Sequence, residues 1–133
     1  MEQEEIKEKQ IDETVDNTSK TEMINLIVEA YRLRNFTANL VKNTNDVRLI
    51  KRASNIITRF DKHFLGTLNT FNLELLDFTG HVYETGLPVH PINLADFEGE
   101  DILVIEAMIE PVIKESNSAN ILKPGVVVVG KRN

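Results

Sequence analysis

The chain has 133 residues, 41% of them hydrophobic, a net charge of −6 and no cysteine. That length suits one domain, or a small domain with appended helices, and the absence of cysteine excludes a disulfide framework and thiolate chemistry. No apolar run approaches the ~18 residues that cross a bilayer, and "MEQEEIKEKQ" lacks the basic and apolar regions of a signal peptide, so a cytoplasmic protein is expected. Charge is unevenly distributed. Residues 1–20 carry seven acids and three lysines, residues 21–71 four acids and eight basic residues, and residues 72–133 ten acids and four basic residues. A basic middle between acidic ends predicts separate segments with separate surfaces.

In chain order, residues 1–18 place isolated Ile6, Ile11 and Val15 among charges. They bury too little to offset ordering entropy, which predicts a flexible acidic tail, with a short transient helix as the alternative. Ser19 stands three positions before Glu22, the spacing of a capping box. Met23, Leu26, Ala30, Leu33, Thr37 and Leu40 then recur at alternating three- and four-residue intervals, flanked by Ile24, Ile27, Tyr31, Ala38 and Val41. So broad an apolar face predicts a helix packed against more than one neighbour. Asn43–Asp46 is turn chemistry, and Thr44, Asn45 or Asp46 can cap a helix beginning at Val47.

A second helix is expected from Val47 to Phe71, with Ile50, Ala53, Ile57, Phe60, Phe64, Leu68 and Phe71 at helical spacing and Gly66 as its weak point. Two helices joined by a short polar turn form an antiparallel hairpin. Because one hairpin leaves part of each stripe wet, residues 19–71 are expected to pair as a homodimeric four-helix bundle. Leu26, Leu33, Leu40, Ile50, Ile57, Phe60 and Phe64 are the candidate dimerisation residues.

Past Phe71 the period changes. Leu73–Phe78 and His81–Glu84 read as strands, and Pro88 and Pro91 keep "GLPVHPINL" extended. "ADFEGED" reads as a polar loop. Ile102–Ile113 reads as strand from its β-branched start or as partly helical from Ala107–Met108, and Val126–Val129 is a closing strand. Residues 72–133 are therefore expected to form a small β-rich domain, and the fold class is α+β.

The chemistry-bearing residues form no catalytic set. His63, His81 and His90 have no metal-site spacing, the glycines make no phosphate cradle, and no nucleophile has a base partner. No enzyme activity, metal or cofactor is expected. Arg48, Lys51, Arg52, Arg59 and Lys62 lie on the helix side away from the apolar stripe. No nucleic-acid motif accompanies them, so a solvated face or a patch for an acidic protein partner ranks above nucleic-acid binding.

The order of parts, acidic tail, hairpin and β domain, resembles the GrpE family, the nucleotide exchange factors of DnaK-type chaperones. In Ile121–Val129, "ILKPGVVVV" is similar to that family's closing pattern of aliphatics, a basic residue, Pro, a small residue and aliphatics. "ETGLPVHP" (Glu84–Pro91) is similar to its Gly-x-Pro-x-x-Pro segment, and Asp77, Thr79, Gly80, Tyr83 and Gly86 match a stretch found in divergent GrpE-like proteins. The resemblance implies a homodimer that binds the ATPase domain of a DnaK-type chaperone. On that reading Leu87, Pro88, Val89 and His90 form a rigid contact edge, with Glu98, Glu100 and Asp101 beside it, although Leu87 and Val89 read equally well as core. The alternative is a non-catalytic dimeric adaptor that recruits another ATPase, with a nucleic-acid module on the basic helices ranked third.

Overall fold

The computed structural model describes the backbone of residues 2–132 and the side chains of residues 17–132. Helix α1 (Glu2–Lys42) and helix α2 (Val47–Thr70) form the hairpin. Asp46 caps α2, its side chain accepting from Arg48 N at 3.0 Å and Leu49 N at 3.2 Å. These bonds satisfy donors that a helix start leaves orphaned. The other end of α2 stops at Phe71, and Asn72 takes a left-handed φ of 56° that turns the chain out of the helix.

The start of α1 differs from the expected one. Ser19 lies inside the helix rather than at its N-cap, and Thr21 Oγ1 donates back to Asn17 O at 2.9 Å. The preceding residues are rich in Glu, Lys and Gln, all good helix formers, so the apparent capping box does not mark a boundary. The flexible tail expected over residues 1–18 falls almost wholly outside the described side chains.

Six strands complete the chain: β1 (Leu73–Leu76), β2 (Val89–Pro91), β3 (Leu103–Glu110), β4 (Val112–Glu115), β5 (Ile121–Lys123) and β6 (Gly125–Lys131). They form two three-stranded sheets, β1-β4-β5 and β2-β6-β3, with β2 and β6 parallel and the other pairs antiparallel. One long ribbon spans both sheets. Its two arms, β3–β4 and β5–β6, are interrupted only at Pro111 and Pro124. Proline cannot donate to a ladder, so each break lets its arm leave one sheet for the other.

Ile102–Ile113, readable as strand or partly helix, is strand from Leu103 onward. Register shifts between Ile105 and Ala107 and between Met108 and Glu110 mark irregular pairing where a helical turn was the alternative. His81–Glu84, expected as a strand, is reduced to a single bridge between Val82 and Val104. It still tracks β3 through Gly80 N to Ile105 O, Ile105 N to His81 O and Tyr83 N to Leu103 O, all at 2.8–2.9 Å.

Two clusters make the core. Val89, Leu103, Ile105, Val112, Val127 and Val129 fill the first; Ile27, Val28, Leu68, Leu73 and Ile113 join the hairpin to the β1-β4-β5 sheet. Val112 and Ile113 are neighbours on β4, so their side chains point to opposite faces. Both are fully buried, one in each cluster, and β4 therefore ties the two parts of the molecule together. The valine run is the middle strand of its sheet, paired to β2 on one edge and β3 on the other.

Candidate partner-binding surfaces

The broad apolar face of α1 divides in the folded chain. Ile27 and Val28 are buried, with Met23 and Ile24 packed beside them, whereas Leu26, Leu33 and Leu40 remain 69%, 68% and 57% exposed. These leucines are seven residues apart, with Ala30 and Thr37 between them at the alternate positions. That is the spacing of a helix–helix seam. On α2, Leu49 and Ile56 are also exposed. Leu33 and Ile56, with Ala30, Thr37, Ile57 and Phe60, line an apolar groove of about 150 Å³ between the helices.

The remaining candidates of α2 sit deeper. Ile50, Ile57, Phe60 and Phe64 are half-buried. Phe64 packs against the core of its own chain and stacks on Phe60, with ring centroids 5.3 Å apart. Within the hairpin, Arg34 clamps α1 to α2: its Nε and Nη2 donate to the two carboxylate oxygens of Asp61 at 3.0 and 2.9 Å. These bonds hold the Asp61 pKa below the ordinary aspartate value. Burial pushes the Tyr31 hydroxyl pKa up, partly opposed by its hydrogen bond with Asn35.

In the β domain, the expected contact edge separates into core and surface. Val89 is 5% exposed and belongs to the first cluster, against which Leu87 also packs, while His90 faces outward. Pro88 is half-buried, and its carbonyl accepts from Gly125 N at 2.9 Å. Asn93 holds the chain after β2 by a two-way bond to Val129, donating to its carbonyl at 2.8 Å and accepting from its N–H at 3.0 Å.

The acidic loop beyond Asn93 is also built. Asp101 accepts from Glu98 N at 3.1 Å and pairs with Lys131 at 3.4 Å, so it closes the loop, while Glu98 and Glu100 stay exposed.

Beside that loop is a feature that periodicity did not reveal. Val82, Tyr83, Leu94, Phe97, Ile102 and Leu103 line a groove of about 450 Å³ with Glu98 and Asp101 at its rim. Val82, Leu94 and Ile102 are exposed. Their only sequence signal is isolated apolar residues in otherwise polar loops. Among the described residues no group of three or more His, Asp or Glu could hold a metal ion, and no helix is long and apolar enough to cross a membrane.

No family model matches the chain, and comparison with curated proteins and with solved structures gives no match.

Proposed function

We propose that this chain is a GrpE-like co-chaperone: a homodimer, joined through the hairpin, that binds the ATPase domain of a DnaK-type chaperone and speeds nucleotide release. One observation carries the reading. Ile121–Val129, the stretch most similar to the GrpE family, runs as β5 and β6 through both sheets of the β domain, behind a hairpin with an unburied leucine seam. Leu26, Leu33 and Leu40 would meet their counterparts in the second chain. Of the contact edge, His90, Glu98 and Glu100 are exposed and Leu87, Pro88 and Asp101 half-buried.

The mechanism is a wedge. Contacts made only with an opened partner cleft raise the population of that state and lower nucleotide affinity by the same free energy. Stopped-flow release of labelled ADP from the cognate chaperone tests it. Acceleration that saturates with protein concentration is expected, and an unchanged rate at saturation removes the exchange role.

A second reading, a dimeric adaptor for another ATPase, draws on Val89 being core rather than contact surface. It also draws on "INLADFE" (Ile92–Glu98) standing where the family carries a His-Glu-Ala segment.

A further inference from the structure

The outer face of α2 carries Arg48, Lys51, Arg52, Arg59 and Lys62, all exposed, with Asn55 among them. By helical spacing this row lies opposite Ile50, Ile57 and Phe64, and it extends about 21 Å along the axis. Among the described residues, none of the five cations has an ion-pair partner. Elsewhere among the described residues Lys20, Arg32, Arg34, Lys114, Lys123 and Lys131 are paired, whereas Lys42 and Arg132 are not. The only acid on α2 is Asp61, which is engaged by Arg34.

Fold stability does not account for this arrangement. Arg48, Lys51 and Arg52 stand near the positive end of the helix dipole, where cations are unfavourable; the first turn holds no acid, and the N-cap carboxylate of Asp46 is engaged by the N–H groups of Arg48 and Leu49 rather than by a cationic side chain. Arg48 and Arg52 are also four residues apart, so like charges face each other on one side of the helix. A merely solvated face normally intersperses both signs.

We infer that this face docks an acidic segment of a partner protein, one that presents carboxylates along a length of about four helical turns. Charge complementarity sets the sign of the partner. Protein is favoured over nucleic acid because no aromatic side chain lies in the row to stack on a base. The face is separate from the leucine seam and does not depend on which ATPase, if any, the β domain meets.

The test uses the full chain and fluorescence anisotropy with labelled oligoglutamate of about 15 residues, and with oligothymidylate of equal charge, at about 50 mM salt. Oligoglutamate is expected to bind saturably and more tightly. The triple variant Arg48→Gln, Arg52→Gln, Arg59→Gln should weaken it about tenfold, the sum of three exposed pairs. Lys42→Gln with Arg132→Gln, which removes cations elsewhere, should leave it unchanged. The triple variant should also melt about 2 °C higher, because it relieves the dipole and like-charge penalties. No saturable binding, an equal loss in the control, tighter binding of oligothymidylate, or a lower melting temperature for the triple variant would each overturn the inference.

Discussion

Arg34 and Asp61 show what one residue pair contributes to the hairpin. The bond is bidentate, which fixes the rotation of α1 against α2 as well as their separation. Both side chains are about a third or more exposed, so solvent screening limits the pair to about 0.5–1 kcal/mol. Arg34→Gln should lower unfolding stability by that amount in a denaturant titration at neutral pH. Because folding depresses the Asp61 pKa, the contribution is fully present above the unfolded aspartate value. It is lost as pH falls through the lower folded one. The difference between the parent protein and Arg34→Gln should therefore shrink on the acid side of the ordinary aspartate range. A difference that stayed constant there would rule out this ion pair as its source.

At the scale of elements, the hairpin turn was the most legible part of the sequence. Asn43–Asp46 carries its own instructions, and Asp46 is the residue that caps α2. Asp46→Ala should cost about 1 kcal/mol, read as a lower urea midpoint with an unchanged slope. Other boundaries were harder to read. Ser19 and Glu22 have capping-box spacing, but good helix formers before them carry α1 through, so the motif alone did not define a start. Periodicity identified the apolar stripe of α1 but not which neighbour covers each part. Ile27 and Val28 turn inward and Leu26 and Leu33 outward, and that division depends on β4 reaching under the hairpin. His81–Glu84 has strand composition, yet Gly80, at φ 87°, and Gly86 leave it too short for more than one bridge. In the candidate site, Val89 and His90 alternate as strand neighbours must, one in the core and one outside. The groove around Leu94 and Ile102 brings the Val82–Thr85 segment against the loop that leads into β3, a contact that neither a helical nor a strand period encodes.

For the whole molecule, the proposed dimer rests on the leucine seam, because a solitary hairpin leaves Leu26, Leu33 and Leu40 in water. Leu33 is exposed in the single chain, so Leu33→Asp should separate the dimer while leaving the helical circular dichroism of each chain intact. Phe60→Asp should separate it too, but with loss of stability, since Phe60 is half-buried and stacks on Phe64. The decisive measurement is the mass of the unmodified protein by light scattering at micromolar concentration. The seam predicts twice the 15.1 kDa of one chain; a mass equal to a single chain would contradict it.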